Sequence, residues 1–242
     1  MGNALSPRID SAQKSGILQL SGLKLTKLPD DAKNLVNIRC LDLSSNRFEL
    51  IKPWIGRLHS LKVLNVENNK IKCFPTELCH LTKLETLNAN QNALTSLTPP
   101  GTVANFGNLQ NLRFVYLSKN HLTVFPAELC CPSIPINVLD LSDNQISLIP
   151  SCVSVLQAIE INLNHNLISV VAKSIAECPR LKVLRLERNK LVLDEFPTEL
   201  LTNSQVSLIC VEGNRFEMRD FYSLPGYSQY MDRFTAMKKK TT

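Results

Sequence analysis

Asparagine recurs along this chain at nearly constant spacing, and each asparagine is followed two residues later by a large apolar residue. The spacings between successive members are 23, 23, 28, 24, 22, 23 and 25 residues. A period of this length is the signature of a repeat architecture, in which each unit stacks on its neighbours to bury a continuous core. We call this set the asparagine ladder, and its members are Asn46, Asn69, Asn92, Asn120, Asn144, Asn166, Asn189 and Asn214.

A paired apolar step stands before most of the ladder asparagines, as in Leu41-Asp-Leu43 and Leu139-Asp-Leu141. This alternation predicts a short strand with one buried and one exposed face. The asparagine amide donates and accepts hydrogen bonds at once, so it suits backbone groups that the solenoid interior hides from water. We therefore expect an α/β solenoid with a parallel concave sheet and short helices or loops on the convex side.

The pattern also predicts the organisation of the chain, as one elongated domain. We expect an N-terminal tail at 1–15, a capping repeat at 16–34, eight repeats at 35–219, and a C-terminal cap with a basic tail at 220–242. One turn is longer than the rest, and its excess falls around Thr98–Val103. The aromatic segment Asp220–Phe234 is interpreted as a cap over the last strand, with a partner-binding patch as the alternative.

Charge is distributed unevenly between the concave face and the rest of the chain. The outward positions of the strands and the turns after them hold seven acidic and three basic residues, whereas the whole chain has a formal net charge of +6. A mildly acidic face argues against a nucleic-acid partner. We expect a protein partner there, with Phe114 and Tyr116 as an aromatic hot spot near His165, Arg185 and Arg188. The alternative is a generic solvated sheet face without a partner. The candidate partner-binding residues are Phe114, Tyr116, Lys119, Asp140, Asp143, His165, Arg185 and Arg188.

Catalytic and metal-binding motifs are missing from the sequence. It has no GxSxG, HExxH or glycine-rich phosphate loop, and the nearest approach to a catalytic group is Asp140, Asp143 and His165. The eight cysteines are scattered without paired C-x-x-C spacing, so we expect reduced thiols that fill the solenoid core. We expect no enzyme activity, no cofactor and no metal.

Both ends of the chain carry membrane signals. Met1-Gly2-Asn3-Ala4-Leu5-Ser6 fits the pattern for N-myristoylation of Gly2, although acceptor sequences disfavour a proline such as Pro7 after the motif. The alternative is a frayed tail without function. A single acyl chain binds membranes only marginally, and Lys238, Lys239 and Lys240 offer a second, electrostatic signal. Since the sequence contains neither a secretory signal nor a membrane-spanning run, we expect a cytoplasmic protein attached to membranes by its lipid.

The terminal signatures add a resemblance to a known family. The MGN start, Ala12-Gln13-Lys14-Ser15-Gly16, Val211-Glu-Gly-Asn214 and the ending Gly226-Tyr-Ser-Gln-Tyr-Met-Asp-Arg-Phe-Thr-Ala236 before three lysines resemble a family of small intracellular leucine-rich-repeat proteins. The resemblance implies a non-enzymatic intracellular repeat protein with a lipid on Gly2 and a protein partner of unknown identity. We expect a leucine-rich-repeat horseshoe that is monomeric. The alternative is a soluble scaffold or regulatory subunit of a signalling enzyme, in a phosphatase or small GTPase pathway.

Overall fold

The computed structural model describes the backbone of residues 6–28 and 34–241, and the side chains of residues 7–28 and 34–239. The chain divides into two compact units. Unit 1 is Met1–His121 with Ser133–Pro135, and unit 2 is Leu122–Pro132 with Ile136–Thr242. The predicted division into an N-terminal tail, a capping repeat, eight repeats and a C-terminal cap stays a prediction.

Unit 1 is built on a parallel sheet whose strands follow one another in chain order. The middle residue of each strand is buried and its two neighbours are more exposed, as the apolar alternation predicts. The strands are β1 (Ile17–Gln19), β2 (Cys40–Asp42), β3 (Val63–Asn65), β4 (Thr86–Asn88) and β5 (Phe114–Tyr116). Short 3-10 helices return the chain between strands at Pro53–Arg57, Thr76–His80 and Phe106–Asn108.

Helix α1 (Ser6–Ser15) precedes the first strand of unit 1. Its apolar residues Ile9 and Ala12 are buried. The guanidinium of Arg8 donates to the carbonyl oxygen of Gln19 at 2.9 Å, which ties the helix to β1. Most of the predicted N-terminal tail is therefore a packed helix, because two apolar residues three positions apart give even this polar segment a buried side. Gly2 lies outside the described residues.

Unit 2 repeats the same design. Its main parallel sheet contains β6 (Val138–Asp140), β8 (Glu160–Asn162), β10 (Val183–Arg185) and β11 (Leu208–Cys210), while β7 (Leu148–Ile149) and β9 (Val170–Val171) pair separately. The 3-10 helices are Ala127–Leu129, Ser151–Val155, Lys173–Glu177 and Leu193–Glu195. The α-helices are α2 (Glu199–Thr202), α3 (Met218–Tyr222) and α4 (Tyr227–Thr241). Parallel sheets with short helices confirm the predicted α/β solenoid fold.

Aromatic side chains of α3 and α4 pack against the last strand of unit 2. The Phe221 ring lies 5.1 Å from Phe196 and 5.9 Å from Tyr227, measured between ring centroids. The backbone N–H of Ile209, in β11, donates to the Tyr230 hydroxyl at 3.1 Å. An edge N–H of the final strand therefore has a side-chain partner, as a C-terminal cap requires.

Candidate protein-binding surface

The asparagine ladder connects each repeat to the one before it. From Asn69 onward, each side-chain oxygen accepts the N–H of the apolar residue that lies two positions after the preceding ladder asparagine, whereas Asn46 accepts from Leu23 and Leu25 of the first turn. Asn92 accepts from Ile71 at 3.0 Å in unit 1, and Asn166 accepts from Ile146 at 2.9 Å in unit 2. The side-chain amide nitrogen donates to a carbonyl oxygen at the end of its own strand and to one at the end of the preceding strand, as Asn92 does to Ala89 and Val66. These bonds supply partners to backbone groups that are buried away from water.

The residue directly before each ladder asparagine has a left-handed backbone conformation. Its φ lies between 52° and 57° at the non-glycine positions, and Gly213 occupies the same position with a φ of 76°. This turn directs the preceding side chain to the edge of the sheet face, where the candidate residues Lys119, Asp143, His165 and Arg188 are all exposed. The sequence predicts this left-handed conformation only at Gly213, because unrelated side chains occupy the same position in the other repeats.

Phe114 and Tyr116 occupy the two outward positions of β5 in unit 1, and both are half-buried. Val115 between them is fully buried, so the two rings project from the opposite face. Their backbone is already paired, since Phe114 N–H donates to the Glu85 carbonyl and Ala89 N–H to the Tyr116 carbonyl. The aromatic pair therefore needs no rearrangement of the sheet to contact a partner.

Amide side chains cover the neighbouring strands of unit 1. The carboxylate of Glu67 accepts from Asn88 at 3.0 Å and from Gln91 at 3.1 Å. The amide of Asn68 donates to the Ser45 hydroxyl at 3.2 Å. This face is polar but nearly uncharged, which distinguishes it from the corresponding face of unit 2.

The outward face of unit 2 carries most of the charged candidate residues, and many of them are paired with one another. Arg185 Nε lies 2.9 Å from Glu160 Oε1, and this hydrogen bond is the main cause that raises the pKa of Arg185. His165 Nδ1 lies 3.5 Å from Asp143 Oδ1, and both side chains are more than two-fifths exposed. The structure thus brings His165 and Asp143 together.

Asp140 is held in its own turn on the same face of unit 2. Its Oδ1 atom accepts from the Ser142 backbone at 3.0 Å and from the Ser142 hydroxyl at 2.7 Å. Asn164 donates to Glu187 and accepts from the Glu187 N–H, which links two further turns. Phe114, Tyr116 and Lys119 belong to unit 1 and the other candidate partner-binding residues to unit 2, so each set forms a candidate surface of its own unit.

The basic residues near the C-terminus play different structural roles. Lys238 and Lys239 lie on α4, and Lys238 Nζ sits 4.5 Å from the Phe234 ring centroid. The side chain of Lys240 is outside the described residues. Arg233, in contrast, donates to the carbonyl oxygens of Leu201 at 2.8 Å and Leu200 at 3.0 Å, and burial lowers its pKa. Its guanidinium fastens α4 to the end of α2 and is not part of a free basic surface.

The cysteines fill the core less completely than the sequence predicts. All eight are free thiols, but only Cys79 and Cys178 are buried and the others are intermediate in exposure. Cys40 and Cys210 occupy outward strand positions, which explains their exposure. Within the residues that the structure describes, no group of three or more His, Cys, Asp or Glu side chains is arranged to hold a metal ion.

The longer turn of unit 1 ends in an exposed tip. Thr102 N–H donates to the Pro99 carbonyl at 3.2 Å, and Gly101 between them has a φ of 77°, so the insertion closes as a tight turn. Val103 follows it and is 96 % exposed. In residues 6–28 and 34–241, no helix is long and apolar enough to cross a membrane.

Comparison with known proteins identifies the repeat. Leucine rich repeat family models match residues 37–94 and 136–156. The chain is 34% identical over 135 residues to a probable inactive serine/threonine-protein kinase, roco10, of Dictyostelium discoideum, covering 53% of this chain and 5% of that protein. It is 37% identical over 90 residues to the human oligodendrocyte-myelin glycoprotein, covering 37% of this chain and 19% of that protein.

Solved structures agree with the fold. The leucine-rich repeat domain of APL1B superimposes with a TM-score of 0.67 at 24% identity, over 88% of this chain and 59% of that one. The chain spans at most about a fifth of the length of the two sequence relatives, since it covers 5% and 19% of them. These likenesses therefore establish the fold, and the leucine rich repeat itself at residues 37–94 and 136–156.

Proposed function

We propose that this chain is a non-enzymatic interaction module of the leucine-rich-repeat class, which binds a protein partner on the outward sheet face and associates with membranes through an N-myristoyl group on Gly2. Leucine-rich repeats generally mediate contacts between proteins, and the leucine rich repeat models that match residues 37–94 and 136–156 support this role. The residues proposed to carry the binding are the aromatic pair of unit 1 and the charged set of unit 2.

The observation that best supports partner binding is the half-buried, outward-facing aromatic pair on β5. Phe114 and Tyr116 are large, their side chains have few rotatable bonds, and they project from a strand whose centre is fully buried. Aromatic residues on a rigid element lose little conformational entropy on binding and bury much apolar area, which is the character of interface hot spots. Membrane association is supported by the Gly2 acceptor pattern and the lysines at the end of α4.

Affinity capture from cells, quantified by mass spectrometry, tests the partner site. Full-length parent is compared with the double variant Phe114→Ala/Tyr116→Ala and with the control Val124→Ala/Leu148→Ala, which removes two exposed apolar side chains away from the main sheet. We expect the aromatic variant to lose at least about tenfold of the captured partner, as truncation of hot-spot residues does, while the control captures as the parent does.

Both variants must unfold at the parental denaturant midpoint for the comparison to count. Equal capture by the parent and the folded aromatic variant would place the partner elsewhere, with the Val103 turn and the charged face of unit 2 as the next surfaces to mutate. A chain that stays cytosolic yet retains aromatic-dependent capture would favour a scaffold without a lipid anchor.

A further inference from the structure

Unit 1 contains an apolar pocket of about 280 Å³ on the flank where the chain leaves the strands. Its walls include Leu28, Leu50, Ile51 and Trp54, and Phe48 lies beneath them. Phe48 and Ile51 belong to the buried core, whereas Leu50 is 57 % exposed. Trp54 is half-buried in the 3-10 helix Pro53–Arg57, and it is the only tryptophan of the chain. An apolar wall with a protruding leucine and an indole costs solvation free energy if nothing covers it.

Two lysines complete the rim of this pocket. Lys27 and Lys52 both line it and both are exposed, and among the described residues that line it there is no carboxylate. The combination of an apolar floor and cationic rim suits an amphiphilic, negatively charged partner. A purely apolar protein surface or a neutral ligand would leave the two ammonium groups without a partner.

We propose that Leu50 and Trp54 insert into the interfacial region of an anionic lipid leaflet, with Lys27 and Lys52 on the lipid phosphates. Tryptophan prefers the headgroup region, where its ring meets acyl chains and its N–H meets water. Lysine keeps its ammonium in the headgroup layer while its methylene stem covers apolar surface. The pocket therefore has a place for each part of a leaflet, from acyl chain to phosphate.

The site deepens the membrane association proposed above and rests on it for its biological setting. Helix α1 packs on β1 of the same unit through Ile9 and Ala12. In the sequence three residues separate Gly2 from Ser6, where α1 begins. An acyl group on Gly2 would thus be tethered to the unit that carries Trp54. A weak second contact of this kind is what a single acyl chain needs for stable attachment.

The lone tryptophan makes the site directly observable. Full-length protein expressed without the acyl group is titrated with vesicles of phosphatidylcholine alone and of an equimolar mixture with phosphatidylserine. We expect a blue shift of the Trp54 emission, and quenching by lipids brominated on the acyl chain, with the phosphatidylserine vesicles only. Asp30 and Asp31 lie close to Leu28 in the sequence, outside the described residues, and their negative charges oppose binding to an anionic vesicle. A preference for phosphatidylserine is therefore a stringent test of the proposal.

Three variants separate the apolar and cationic contributions. Leu50→Ser is expected to weaken partition into the mixed vesicles about tenfold through lost apolar contact. Lys27→Gln/Lys52→Gln is expected to weaken it about 25-fold, because each lysine near an anionic leaflet contributes about 1 kcal/mol. The control Val124→Ser/Lys190→Gln removes an exposed valine and an exposed lysine in unit 2 and is expected to bind as the parent does.

Each contrary result overturns the proposal. Unchanged Trp54 emission with mixed vesicles removes the site, and an equal shift with phosphatidylcholine removes the role of the lysines. Loss of binding in the control equal to that in Leu50→Ser shows that the contact is not local to this pocket. A blue shift on acylation of Gly2 without vesicles identifies the chain's own acyl group as the occupant. Because the titration uses protein without the acyl group, a negative result does not decide whether Gly2 carries a lipid, which the Gly2→Ala variant tests separately.

Discussion

Replacing Asn166 by leucine tests whether the asparagine ladder stabilises the repeats through hydrogen bonds. Asn166 is 4 % exposed, and leucine has the same branching at Cγ without polar atoms. The Asn166 side chain accepts from Ile146 N–H at 2.9 Å and donates to the carbonyl oxygens of Leu141 and Leu163, at 2.9 and 3.2 Å. The substitution removes these bonds while keeping the shape of the side chain nearly constant.

The size of the effect follows from which groups lose their last partner. The Leu141 carbonyl still accepts from Asn144 at 3.0 Å, and the Leu163 carbonyl still accepts from Asn189 at 2.9 Å. Only the Ile146 N–H is left buried without an acceptor, at about 1–3 kcal/mol. Each lost bond to a carbonyl that keeps another partner adds about 0.5 kcal/mol, the low end for a hydrogen bond. We expect a total loss of about 2–4 kcal/mol in the free energy of unfolding.

Asn162→Leu is the matched control, because it makes the same substitution on the outward side of the same repeat. Asn162 is half-buried and accepts one bond, from Asn164 N–H at 3.1 Å, so about 0.5–1 kcal/mol is expected. Urea unfolding followed by circular dichroism gives both values, and the melting temperature should fall by roughly 5–15 °C for Asn166→Leu. Equal losses in the two variants would refute the assignment of the ladder as the partner of buried backbone groups.

Two further predictions concern the termini and the thiols. Gly2→Ala should release the protein from membranes in cell fractionation, and retention of this variant on membranes would contradict the lipid anchor. Glutamine at Lys238, Lys239 and Lys240 should release part of the protein, as added salt does. Burial raises the pKa of Cys79 from 9.0 to about 11 and that of Cys178 to about 12, so iodoacetamide should spare both thiols in folded protein at pH 8. The free energy of unfolding should fall as the pH rises from 9 to 11, because these thiols ionise there only in the unfolded state. Rapid alkylation of Cys79 in peptide mapping would contradict this prediction.

The sequence was sufficient to predict the strands and their two faces. The central residues Leu64, Leu139 and Leu184 are fully buried, as the alternation before the ladder indicates. Because side chains alternate between the two faces of a strand, burying one face fixes which residues point inward. A shift of one residue would expose every leucine. The local pattern and the global fold therefore agree at these positions.

Other features depend on contacts that a single sequence does not display. Among the side chains of helix α1 that the structure describes, at 7–15, only Ile9 and Ala12 are buried, too few for a clear helical period in a polar segment. Arg233 resembles any basic residue of a tail until α4 places it beside the end of α2. The Trp54 pocket arises from a gap between two neighbouring turns, which no residue spacing encodes.

The charged face of unit 2 and the aromatic pair of unit 1 differ in what they offer a partner. Arg185 is already paired with Glu160, so a partner that covers this pair must remove water from two charges whose attraction is already satisfied within the chain. That cost offsets much of the gain from new ion pairs, and such groups act mainly on specificity and association rate. Phe114 and Tyr116 present apolar area on β5, and covering it needs no existing pair to break. The affinity of a partner should therefore depend on the aromatic pair, and the choice among partners on the charged face.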